Sequence, residues 1–111
     1  MAKEFYVAFI DDRVRKSYDT LKTGRSEESA LHERINHAID SIKNDPSYGI
    51  RIPHDLIPSF YIKKYGIDNL RKINLPDGWR LLYTVKAEKT IIVSVIIEWL
   101  SHTDYERRFG Y

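Results

Sequence analysis

Apolar residues recur with a helical period in the first half of this chain and with an alternating period in the second. Residues 5–10, Phe-Tyr-Val-Ala-Phe-Ile, are aromatic or branched at most positions, so the chain should open with a strand. Asp11 or Asp12 then caps a helix on which Val14, Tyr18 and Leu21 share one face, while Arg13, Arg15, Lys16 and Asp19 take the others. Gly24 is expected to end that helix in a left-handed conformation. Ser26 offers the next N-cap, Glu27 and Glu28 suit the positive end of a helix dipole, and Leu31, Ile35, Ala38, Ile39 and Ile42 form one stripe. Asn44-Asp45-Pro46 stops it. Two amphipathic helices joined so closely read as a helical hairpin, whose stripe needs a sheet to cover it.

Residues 48–59 hold Gly49, Pro53 and Pro58 and read as an irregular loop, followed by a short strand over 60–64 and a turn at Tyr65-Gly66-Ile67-Asp68. Three strand-like runs follow, 69–75, 79–85 and 90–100, separated by Pro76-Asp77-Gly78 and Lys86-Ala87-Glu88-Lys89. The last is apolar at nearly every position from Ile91 to Ile97, which predicts a central strand buried on both faces. Residues 104–108 make a short C-terminal helix or tail. The expected class is α+β, in the order β-α-α-β-β-β, with the hairpin packed on a twisted antiparallel sheet and a single domain over residues 1–111.

Alternation assigns faces. Trp79, Leu81, Tyr83 and Val85 share the helix-packed side with Ile73 and Leu75, leaving Arg80, Leu82 and Thr84 on the other. Leu70, Lys72 and Asn74 fall on Arg80's side, and Ser94 and Glu98 are expected to join them. A polar patch on an uncovered face results, although any antiparallel sheet with one solvated face carries such positions.

Composition narrows the options. At 111 residues and 42% apolar, the chain can fill one modest core and has no room for a second. It lacks cysteine, so disulfides and thiolate metal sites are excluded, and its four histidines are scattered; neither a metal nor a cofactor is expected. Met1-Ala2-Lys3-Glu4 leads into an apolar run too short for a signal peptide or a membrane span, which points to a cytoplasmic protein without membrane partners. Net charge is only +2, but it is unevenly placed. Through Tyr48, eight Lys/Arg face nine Asp/Glu, whereas over 60–86 Lys63, Lys64, Arg71, Lys72, Arg80 and Lys86 face only Asp68 and Asp77. A surface for phosphates needs this kind of asymmetry.

The segment Asn69-Leu70-Arg71-Lys72-Ile73-Asn74-Leu75-Pro76-Asp77-Gly78-Trp79-Arg80-Leu81-Leu82-Tyr83 resembles the central hairpin of RelE-type toxins. That hairpin has an apolar and basic strand, a tight turn, then an aromatic residue, arginine, two aliphatics and tyrosine. Ser101-His102-Thr103-Asp104-Tyr105-Glu106-Arg107 is similar to the His-x-x-Tyr ending of the HigB and YafQ branches. The resemblance, which covers nearly the whole chain, is to the RelE/ParE toxin superfamily.

It implies a toxin of a type II toxin-antitoxin system, a ribosome-dependent endoribonuclease for messenger RNA. RNA carries its own nucleophile, the 2′-hydroxyl, so no metal is required. Arg80 would hold the scissile phosphate and stabilise the pentacovalent state, with Lys72 as a second contact. His102 would move a proton, imidazole being the side chain that exchanges one near neutral pH. Tyr105 would stack on a base or anchor the terminal helix. Arg71, Arg107 and Arg108 would bind RNA phosphates, and Glu98, or more remotely His54, is an alternative base. The partners implied are a cognate antitoxin, the ribosome and messenger RNA. Asn74 stands where some RelE-type enzymes carry a second lysine, and Trp99-Leu100 where some relatives have an arginine, which shifts the expected proton transfer onto His102. Two other functions remain open on sequence: a ParE-like toxin that inhibits DNA gyrase, and an inactive relative that only binds RNA or protein.

Overall fold

The computed structural model describes residues 3–110; Met1, Ala2 and Tyr111, and with them the start of the expected leaderless N-terminus, lie outside. The chain runs β1 (Glu4–Phe9), α1 (Asp12–Lys22), α2 (Ser26–Asn44), β2 (Ile50–Arg51), a 3-10 turn (His54–Leu56), α3 (Ser59–Tyr65), β3 (Arg71–Asn74), a second 3-10 turn (Pro76–Gly78), β4 (Arg80–Ala87), β5 (Ile91–Leu100) and α4 (His102–Phe109). The class is α+β, with the strand, helical hairpin, strands and terminal helix in the expected order.

Asp11 caps α1 by accepting from the Val14 N–H at 2.9 Å. Thr23, not Gly24, is the C-cap, and Gly24 is not among the residues with positive φ, because a Gly24 N–H to Leu21 carbonyl bond closes the helix without a left-handed residue. Ser26 is the first residue of α2 instead of its cap; Glu28 accepts from the Arg25 N–H, satisfying an orphan donor of the first turn. The helical hairpin sets Val14, Leu31, Ile35, Ala38 and Ile42 against Ile73, Leu75, Leu81, Tyr83 and Ile96 of the sheet. Ile35 and Ile42 are completely buried, each stabilising the fold by about 1.5–3 kcal/mol relative to exposure.

The strand order is β1-β5-β4-β3-β2. β1 pairs with β5 in parallel, Val7 opposite Ser94 and Phe9 opposite Ile96, so the sheet is mixed and not antiparallel throughout. The helical hairpin carries the chain off the sheet after β1, and β5 lies inside, between β1 and β4, as its apolar run requires.

Two further expectations change. Residues 60–64 lie in a helix, not a strand. The edge of β3 is already taken by β2, with Ile50 opposite Lys72, and Gly66 at φ 64° closes α3 by donating to the Ile62 carbonyl. The second sheet face is also covered. Leu70, Leu82, Ile97 and Leu100 are sealed beneath Tyr61 of α3 and Tyr105 of α4, with Ile52, Ile57 and Ile67 around them. Layers of helix therefore flank the sheet on both sides.

A bulge separates Glu98 from Ser94. Leu82 pairs with Glu98 but Tyr83 pairs with Ile96, so β5 carries one extra residue there. Glu98 reaches Tyr61 on the α3 side, whereas Ser94, opposite Val85 and Val7, faces the helical hairpin, fully buried and with its Oγ unpartnered.

Candidate nucleic-acid interface

Arg80 is the first residue of β4, opposite Asn74 on β3 and Leu100 on β5. Lys72 is opposite Leu82, which places it diagonally from Arg80 on the same face. Both cations lean over one ring: Lys72 Nζ is 5.1 Å and the Arg80 guanidinium carbon 5.6 Å from the centroid of Tyr105. An aromatic face attracts cations without neutralising them. Arg80 Nη1 donates to the Trp79 carbonyl at 3.2 Å, while its Nε is buried without a hydrogen-bond partner. Among the described residues neither Arg80 nor Lys72 forms an ion pair.

α4 begins two residues beyond Leu100, its first turn capped by Ser101, whose hydroxyl accepts from the Asp104 N–H. The turn that precedes β4 packs against this start. A Cβ on Gly78 would lie 3.0 Å from the Cβ of His102, and Gly78 has φ 81°, so both space and backbone favour glycine there. Asp77, at φ 63°, is tied to α2 by a 2.7 Å ion pair with Arg34. These contacts bring the start of β4 and the start of α4 to one corner. His102 is exposed there, its Nε2 2.8 Å from a Glu106 carboxylate oxygen, and Tyr105 on the same helix lies under Arg80. The corner offers a guanidinium, an ammonium and an imidazole at the edge of the sheet. Two cations over one ring can hold a phosphate, and the imidazole on the helix that carries the ring is a group able to exchange a proton.

The other expected residues are placed differently. Tyr105 is 4% exposed and stacks on Phe109 with centroids 4.3 Å apart, so its ring anchors α4 and is not presented to a base. Arg71 faces away from Lys72, opposite Tyr83, and its Nη1 donates to the carbonyls of Gly49 at 2.8 Å and Ser47 at 3.3 Å; it braces the loop before β2. Glu98 accepts a 2.5 Å hydrogen bond from the Tyr61 hydroxyl and lies 3.4 Å from Arg108, so the alternative base already holds two donors. Burial and the Glu98 carboxylate together push the Tyr61 phenol far above its ordinary value, which keeps that proton in place. Arg108 also lies over Phe60 and Tyr61, and Arg107 is exposed and paired with Asp104. His54 sits in the 3-10 turn after β2.

Lys64 belongs to the basic stretch legible in the sequence, but Phe60 and Tyr61 have no site role if residues 60–64 form a strand. The available signal was the Tyr65-Gly66 pair, a helix end in place of a turn. Among the described residues no group of acidic, histidine or cysteine side chains could hold a metal, and no helix is long and apolar enough to cross a membrane. Compared with family models, with curated proteins and with solved structures, the chain matches none of them.

Proposed function

We propose that this protein is a RelE-type toxin, a ribosome-dependent endoribonuclease that cuts messenger RNA by attack of the 2′-hydroxyl on the adjacent phosphate. The observation that carries the reading is the pair of cations, Arg80 and Lys72, sharing the ring of Tyr105 without an acidic partner among the described residues, at the corner that also holds His102. Arg80 grips the scissile phosphate and meets the charge that builds on its equatorial oxygens; Lys72 adds a second contact. His102 Nε2–H donates to Glu106, which leaves Nδ1 to take the 2′-hydroxyl proton. The 2′-oxygen bonds to phosphorus, the bond to the 5′-oxygen breaks, and a proton returns to that oxygen. The products are a 2′,3′-cyclic phosphate and a free 5′-hydroxyl. A cognate antitoxin would hold the protein inactive in the cytoplasm.

The test is primer extension on a message translated in a reconstituted system. Wild-type protein should yield discrete cuts ending in cyclic phosphate. Arg80→Ala and His102→Ala should each slow cleavage by about 100-fold or more. Intact message with stoichiometric wild-type protein rules the reading out, and inhibition of gyrase supercoiling in its place would favour the ParE-like alternative.

A further inference from the structure

With Tyr105 buried, base stacking requires another ring. Among the described residues three aromatic ones are substantially exposed, Tyr6, Tyr48 and Phe60. Tyr6 lies on the outer strand β1 and donates its hydroxyl to Glu4, and Tyr48 lies in the loop before β2. Phe60, 41% exposed on α3, differs from both in its surroundings. The Arg108 guanidinium carbon lies 4.2 Å and Lys64 Nζ 5.4 Å from its centroid. Arg108 is itself fixed by Glu98 at 3.4 Å and by the Tyr61 ring. Phe60 is also joined to the Arg80 corner by a run of touching rings: Phe60 meets Tyr61 at 5.4 Å, Tyr61 meets Phe109 at 6.1 Å, and Phe109 stacks on Tyr105 at 4.3 Å. Cations therefore sit at both ends of one aromatic row, Lys72 and Arg80 over Tyr105, Arg108 and Lys64 over Phe60.

We propose that Phe60, with Arg108 and Lys64, is a second nucleotide subsite, a platform on which a base of single-stranded RNA stacks while the two cations hold its backbone phosphates. An exposed ring flanked by cations is the combination that single-stranded nucleic acid uses without regard to sequence. The proposal rests on the ribonuclease reading for the direction of the strand, which would run from the Arg80 corner along α4 to α3. Glu98 does not oppose it, because that carboxylate is already shared between Tyr61 and one edge of Arg108, whose planar fork keeps other N–H groups.

The experiment uses a 2′-O-methyl RNA oligonucleotide, which cannot be cut, carrying 2-aminopurine as a reporter of stacking. Wild type and Phe60→Trp should bind it and quench the fluorophore. Phe60→Leu, which keeps apolar bulk without a ring, should bind about tenfold more weakly and quench little. Arg108→Gln should weaken binding and flatten its salt dependence. Equal affinity and quenching in wild type and Phe60→Leu overturns the proposal, as does a surface that binds an acidic protein and not RNA. The two readings fail separately. Phe60-dependent RNA binding without cleavage of translated message removes the nuclease and leaves this subsite, whereas cleavage and binding indifferent to Phe60 do the reverse.

Discussion

Replacing Arg80 by Met separates a phosphate grip from a structural prop. The buried, unpartnered Nε costs the fold about 1–3 kcal/mol. Against this stand the contact with Tyr105, worth about 0.5–1 kcal/mol, and the Nη1 bond to the Trp79 carbonyl, worth about 1 kcal/mol. Methionine keeps the apolar stem and removes all three, so stability should fall by no more than about 1 kcal/mol or rise by up to about 1.5 kcal/mol. Removing one member of a buried ion pair would cost about 3–5 kcal/mol, but no carboxylate pairs with Arg80 among the described residues. Urea denaturation of both proteins, with and without inorganic phosphate, measures the two roles together. At ten times its dissociation constant phosphate should stabilise wild type by about 1.4 kcal/mol, and it should not stabilise Arg80→Met. A loss above about 2 kcal/mol in the variant, or equal phosphate stabilisation of both proteins, would refute the reasoning.

Tyr83→Phe should destabilise the fold by about 2–3 kcal/mol in denaturant titration, because the buried hydroxyl donates to the Pro46 carbonyl and accepts from the Gly49 N–H, each at 2.8 Å, and both groups lose their partner. Ser94→Ala should leave stability unchanged or raise it by about 1 kcal/mol, since its buried Oγ has no partner to lose; a clear loss would mean that the hydroxyl is bonded. Hydrogen bonds from the Ser47 hydroxyl and N–H hold the Asp45 carboxyl below its ordinary 3.8. A depressed folded value stabilises above 3.8 and is lost as pH falls through it, so Asp45→Asn should show a shallower decline of urea midpoints between about pH 5 and 2.

The sequence made the faces of β3 and β4 legible because each strand alternates strictly: Leu81 and Tyr83 pack on the helical hairpin, and Arg80, Leu82 and Lys72 on the opposite side. The same rule failed on β5. A bulge at Ile97 shifts the count by one, and no residue type in the apolar stretch Val95-Ile96-Ile97 announces an inserted position. The covering of the second face was hidden for another reason. Phe60 to Lys64 has strand-like side chains, yet Tyr61 can be buried and Lys63 and Lys64 exposed only if the segment turns as a helix. Pairing of Arg80 with His102's corner was partly legible, because Leu100 and His102 lie so close in sequence, but Arg71's return to the Gly49 carbonyl depends on a loop with no regular pattern.

The parallel seam between β1 and β5 joins Glu4–Phe9 to Ile91–Ile96, strands that the helical hairpin and the rest of the sheet separate in sequence. During synthesis β1, α1 and α2 emerge with their apolar stripe bare, and its cover is finished only when β5 arrives, after a closure spanning most of the chain. The corner is delayed further, since Arg80 leaves the ribosome before the helix bearing His102. Until α4 follows, Arg80 stands at the start of β4 without the ring of Tyr105 beneath it.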